Sequence, residues 1–230
     1  MGVKGKVGAQ VGRQLAPRIT TVAPGLSASF VREMLHRALA GIGPLASAKA
    51  AAEEQLSDHD GNVEKAVDAM TSTHVRLAGA SGFVTNLGGL ITLVVTAPAN
   101  LAAIAVIQLR MVAAVAYLRG YDLDDPRVHN AILVTILGED TVDGLVRRKK
   151  LPAPPMALAT APARDPELDS VISGEVARDL VARVTGRRLA TTLSRRIPGL
   201  GGVVGMSADG WSTFRIGRYA DRELRPRKTR

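Results

Sequence analysis

Residues 77–109 read LAGASGFVTNLGGLITLVVTAPANLAAIAVIQL, 33 residues without a charge, flanked by Arg76 and Arg110. How this run folds decides the architecture. As one helix it would be about 50 Å long, well beyond a bilayer core of about 30 Å. Gly88, Gly89 and Pro98 interrupt it. Divided at Ala97–Pro98, the arms Phe83–Thr96 and Pro98–Leu109 have 14 and 12 residues. Each arm then reaches about 20 Å, the length of a buried hairpin or of one that dips into a membrane, with a true span as the alternative. Seven positions are polar: Ser81, Thr85, Asn86, Thr92, Thr96, Asn100 and Gln108. Eleven are Gly or Ala, which add little to membrane insertion but let helices approach closely.

Working outward, the rest of the chain shows helical periodicity and little alternation of the strand type. Upstream, Val31, Met34, Leu35 and Ala38 fall at helix spacing behind Ser27 and Ser29, either of which suits a cap; Gly41 and Gly43–Pro44 stop that helix. An Ala-rich helix follows over 46–56, then a turn over 58–61. Asn62 caps a helix running to about Ala78, with Val63, Val67, Met70, His74 and Leu77 on one stripe. Downstream, Leu101, Ile104, Gln108, Met111, Val115 and Leu118 form a second stripe ending at Gly120. Asp125 is placed as a cap with Pro126 at the first helical position, and that helix stops at Gly138. A short helix over 139–146 leads into a basic run.

The stretch 151–166 contains five prolines and reads as a Pro/Ala-rich internal loop. Leu168, Ile172, Val176, Leu180 and Val184 then mark a long amphipathic helix, and 198–202 breaks the chain. A last helix over 203–224 carries Trp211, Phe214, Ile216 and Tyr219; Gly210 and Gly217, seven residues apart, give it a smooth face for close packing. The expected fold is all-α: a single-domain helical bundle with a Gly/Ala-rich apolar helical hairpin at its centre. A basic arm over 1–25 precedes a helical domain over 26–224, and a basic tail over 225–230 follows.

Aromatic residues make up only 3% of the chain, so the core must be built from Ala, Leu, Val and Ile. Cysteine is absent, which removes disulfides, thiolate catalysis and thiolate metal sites together. The net charge is +9, and it is unevenly placed. Lys4, Lys6, Arg13, Arg18, Arg147, Arg148, Lys149, Lys150, Arg222, Arg225, Arg227, Lys228 and Arg230 stand in three segments with one acid, Glu223; the remainder has 17 bases and 20 acids. Basicity held in arms and one run suits an anionic membrane surface, or else simply solubilises the ends. Low aromatic content and a near-neutral body argue against nucleic acid, because stacking platforms are missing. The first residues, MGVKGKVGAQVGRQL, carry charge but no continuous apolar core, so no secretory signal is read and the cytoplasmic side is the expectation.

Three blocks carry a family resemblance: HVRLAGASGFVTNLGG from His74, TAPANLAAIAVIQLRMVAAVAYLRGYDLDD from Thr96, and IPGLGGVVGMSADGWSTFRIGRYA from Ile197. In their order, spacing and glycine placement they make the chain resemble the EcsC family of bacterial proteins. Asn100 stands where that family often has an acidic residue, and Asn86 where Gly is commoner. The resemblance implies a helical, hydrophobic, membrane-associated bacterial protein; the namesake member is encoded beside an ABC transporter. It implies no reaction.

Tests for chemistry return little. In GLGGVVG, residues 199–205, the third glycine position of a dinucleotide fingerprint is Val204, and no strand precedes it, so it reads as a turn before a helix. Asp122, Asp124 and Asp125 lack the Gly and Glu of a calcium loop, with Arg127 and Leu133 in those places, and serve as caps. His36, His59, His74 and His129 share no ligand spacing. We expect no metal and no cofactor. His74 lies on an apolar stripe, where it is either a satisfied core histidine or a ligand or proton-transfer group. Gln108, beside Arg110, is placed to anchor a polar network between the hairpin and the last helix, with Asn86, Asn100 and Asp209 as contributors. A pocket there would suit a lipid or other amphiphile. The function expected is that of a non-enzymatic protein on the cytoplasmic face of the inner membrane, peripheral or shallowly inserted. The alternatives are an enzyme acting on a lipid-like substrate and a sequence-nonspecific nucleic-acid binder.

Overall fold

Ser27, itself in extended backbone, accepts a hydrogen bond from the Phe30 N–H at 3.2 Å, which starts helix α1, Ala28–Ala40. Gly41 ends it with φ of 92°; a Cβ there would lie 2.7 Å from the Leu45 carbonyl oxygen, so only glycine fits. Ser47 caps α2, Ala48–Asp58, and Asn62 caps α3, Val63–Leu87, through the Lys65 N–H at 3.1 Å. Then come α4, Gly89–Leu118; α5, Pro126–Thr135, capped by Asp125; α6, Glu139–Arg147; α7, Pro155–Ala159; α8, Pro166–Ser194; and α9, Gly201–Glu223. This computed structural model describes residues 27–41, 45–87, 89–194 and 201–225, and within them the side chains outside 80–101 and 184–207. Among the described residues there are nine helices and no strand. The chain is therefore all-α.

One boundary differs from the sequence reading. The break expected at Ala97–Pro98 is not there: α4 runs from Gly89 through Pro98 to Leu118, and α3 continues past Ala78 to Leu87. Proline inside a helix removes one hydrogen bond and costs about 3 kcal/mol. A 30-residue apolar helix packed on several neighbours outweighs a local loss of that size. The two helices divide instead between Leu87, the last residue of α3, and Gly89, the first of α4.

The inner helix is α4. Met111 to Ala116 are all essentially inaccessible to solvent, so no face of that stretch is free. It packs against α1, α2, α3, α5, α8 and α9. Small residues make this possible: Ala105, Ala113, Ala114 and Ala116 admit neighbours that larger side chains would hold apart. The most extensive helix pairing is α3 with α9. A methyl group at Gly217 would sit 2.5 Å from Thr71 Cγ2 and 3.3 Å from Met111 Sδ, and one at Gly210 would sit 3.6 Å from the Val75 carbonyl oxygen. The smooth face read from the sequence is thus the contact face. These contacts also run α9 antiparallel to α3, since 210 and 217 meet 75 and 71 in reverse order.

The Pro-rich stretch 151–166 buries Leu151, Pro155, Leu158 and Ala159 and contains the single-turn helix α7, which packs on α5. Arg127 donates to the Ala161 carbonyl, and the Met156 N–H donates to Glu223 Oε1 at 3.3 Å. The far end of the bundle is closed by charge. The Arg119 side chain is 6% exposed and reaches Glu64 with two hydrogen bonds and Asp221 with a third, joining the ends of α3, α4 and α9.

Candidate functional site

The candidate site is built where α3, α4 and α9 pass one another. His74 projects from α3 and is 1% exposed. Its Nδ1 lies 2.8 Å from the Met70 carbonyl one turn earlier, and its Nε2 lies 3.0 Å from Arg110 Nη1 on α4. Arginine has only donors, so Nε2 accepts and Nδ1–H donates; the ring is the neutral Nδ1–H tautomer. Burial, then the Arg110 charge, pushes the His74 pKa down to about 4, against the Met70 hydrogen bond that opposes the shift. Arg110 Nε in turn donates to the Ala46 carbonyl at 2.7 Å, so this one guanidinium ties α3, α4 and the segment leading into α2.

Gln108 is the second group. Its Nε2 donates to Thr213 Oγ1 of α9 at 3.1 Å, and its Oε1 accepts from Arg183 of α8 at 3.4 Å. Arg183 also donates to the Ile136 carbonyl at 2.8 Å and pairs with Asp179 at 2.6 Å. The expected link between the hairpin and the last helix is therefore present, as Gln108–Thr213. Asp209 is buried on α9, one turn before Thr213. The side chains of Asn86 and Asn100 lie outside the described residues.

This arrangement joins helices α3, α4, α8 and α9 through buried polar groups. Both nitrogens of His74 are engaged, and each end of the Gln108 amide makes one hydrogen bond to another helix. Two cavities open among the described residues, and the second borders this network at Arg183. One of about 400 Å³ lies between α1 and α4, lined by Phe30, Met34, Leu45, Val106 and Ile107 with Glu33 and Arg37 at its rim. The other, about 240 Å³, lies beside α9 and is lined by Gly138, Thr141, Arg183, Trp211 and Arg215. Among the described residues no group of His, Asp and Glu side chains is arranged to hold a metal ion.

The basic candidates divide into three sets. Arg147, Arg148, Lys149 and Lys150 are exposed at the end of α6. Arg222 pairs with Glu139 at 2.5 Å, and Arg225 with Asp221 and Glu64 at 3.2 and 3.3 Å, so these two charges are answered within the molecule. Lys4, Lys6, Arg13, Arg18, Arg227, Lys228 and Arg230 lie outside the described residues.

Sequence reasoning missed a second polar centre. Arg32 on α1 donates to Ser173 at 2.8 Å, to Asn130 at 3.1 Å and to the Asp169 carbonyl at 2.7 Å, while Asn130 and Arg164 both donate to the Asp169 carboxylate at 2.6 Å. Burial alone would raise the Asp169 pKa, but the hydrogen bonds from Arg164 and Asn130 and the Arg32 charge outweigh it and hold the carboxyl below its ordinary value. An asparagine on the buried face of α5 was the available signal. Exposure of Trp211 and Phe214 was missed as well: they are 63% and 41% exposed on a helix whose Ile216 and Tyr219 are buried.

Fold and site together define an all-α protein organised around one inner helix, with its buried polar groups committed to joining helices. The chain belongs to the EcsC protein family, whose family model matches residues 28–228. No curated protein and no solved structure matches the chain.

Proposed function

We propose that the protein is a non-enzymatic, membrane-associated protein of the EcsC type. It sits on the cytoplasmic face of the inner membrane, peripheral or shallowly inserted, and holds an anionic lipid surface or an amphiphile. One observation carries this reading. Along α3 the last charge is Arg76, along α4 the first is Arg110, and along α9 the first is Asp209. The contacts His74–Arg110, Gln108–Thr213 and Val75–Gly210 set those three residues at one level of the bundle. Beyond that level, 77–87, 89–109 and 201–208 contain no charge. Three helices that shed charge at a common depth suit insertion of one end into a lipid interface. Helix α8 meets the same level at Arg183 and carries Arg187 and Arg188 further on, which favours an anionic surface.

Among the described residues no helix is long and apolar enough to cross a membrane. The test is fractionation of the full chain. The protein should pellet with membranes at neutral pH and leave them under alkaline carbonate. Retention after carbonate, with protease access from both sides, would make it a spanning protein instead.

A further inference from the structure

We propose that the stacked Trp211–Phe214 pair on α9 is the wedge by which the protein enters the headgroup region of a lipid bilayer. This rests on the membrane reading above and names its point of contact. The chain has one tryptophan and 3% aromatic residues, and it spends that tryptophan on the surface. The two rings lie 5.7 Å apart at 25°, forming one exposed apolar unit. Trp211 lies next to Gly210, whose backbone meets Val75, and two residues before Thr213, which meets Gln108. It therefore stands at the level where α3, α4 and α9 lose their charges.

The order along α9 is that of an interface: uncharged over 201–208, then the buried Asp209, the two exposed rings, and exposed Arg215, Arg218 and Arg222. Indole rings concentrate at the depth between hydrocarbon and water. Arg215 and Arg222 are held by Asp140 and Glu139, so they brace α9 against α6 and leave the rings as the part that faces outward. A second copy of the chain is the other occupant to consider. Two rings bury at most about 500 Å² per copy, short of the roughly 800 Å² per partner of a standard interface.

Trp211 is its own reporter. With phosphatidylglycerol vesicles, the emission of the full chain should move to shorter wavelength. It should be quenched more by lipids brominated near the headgroup than by lipids brominated deep in the acyl chain. Trp211→Ala should weaken vesicle co-sedimentation about tenfold, the loss expected for one large apolar side chain, with little change in melting temperature because Trp211 is mostly exposed. Phe214→Ala keeps the reporter and should reduce both binding and the spectral shift. Unshifted, unquenched emission from protein that does pellet with vesicles would sink the wedge while leaving the membrane reading standing. Protein that never pellets sinks both. A blue shift that grows with protein concentration in the absence of lipid would assign the pair to a second copy and overturn the proposal.

Discussion

His74 gives the fold a pH dependence through a single buried ring. Its neutral ring is favoured by burial and by the Arg110 charge, so its pKa is about 4 in the folded protein against 6.5 when unfolded. A group whose pKa falls on folding stabilises the fold fully above the unfolded value and loses that contribution as pH drops toward the folded one. We therefore expect the melting temperature to fall between pH 6.5 and about 4, with a slope of up to about 1.4 kcal/mol per pH unit. His74→Gln is uncharged throughout and should flatten that part of the curve at some general cost in stability. A variant curve parallel to the parent's would mean that other groups set the slope. The sequence leaves a ligand or proton-transfer role open for His74, and in the fold its Nε2 accepts from Arg110.

Two glycines in long helices predict opposite outcomes at the scale of elements. Replacing a helical glycine by alanine gains about 0.5–1 kcal/mol from backbone entropy alone. At Gly174 on α8 a methyl group meets nothing within 4 Å, so Gly174→Ala should raise the melting temperature. At Gly217 the methyl would press on Thr71 and Met111, and overpacking of that kind costs about 1–3 kcal/mol. The clash exceeds the propensity gain, so Gly217→Ala should lower the melting temperature, and Thr71→Ser in the same chain should recover part of the loss. A gain at Gly217 would show that α3 and α9 can move apart freely. The heptad spacing of Gly210 and Gly217 made a close-packing face legible. That α3 is what packs there was not, because the partner lies some 140 positions away.

For the molecule as a whole, the basic ends should act as an electrostatic layer around a near-neutral body. Structure narrows which residues can be removed to test this. Leu224 is buried, and Arg222 and Arg225 are paired with Glu139, Glu64 and Asp221, so a deletion must spare them. Removing 1–18 and 226–230 takes away seven bases and no acid. Each basic residue near an anionic bilayer contributes about 1 kcal/mol, fading within a Debye length of about 10 Å at 0.1 M salt. The shortened chain should bind phosphatidylglycerol vesicles far less at low salt and neutral vesicles almost as before, by co-sedimentation. Tight, sequence-selective binding of duplex DNA by the full chain, with no vesicle binding, would turn the reading toward nucleic acid.

What the sequence determined by itself was whatever depends on neighbours a few residues apart. Ser27, Asn62 and Asp125 cap helices because a side-chain oxygen reaches an N–H two or three residues on. The stripes through Val31 and Ile172 face the core because helical geometry puts them on one side. What only the tertiary structure decided was which distant groups meet. Local periodicity says that Arg110 and Arg119 lie near an apolar stripe. It does not say that one finds His74 and the Ala46 carbonyl and the other Glu64 and Asp221. The passage of α4 through Pro98 belongs to the same class: local preference favours a break, and packing on several helices overrides it. So does Trp211. Nothing in its own helix distinguishes it from Ile216; its exposure follows from α9 turning the face of Gly210, Thr213 and Gly217 toward α3 and α4.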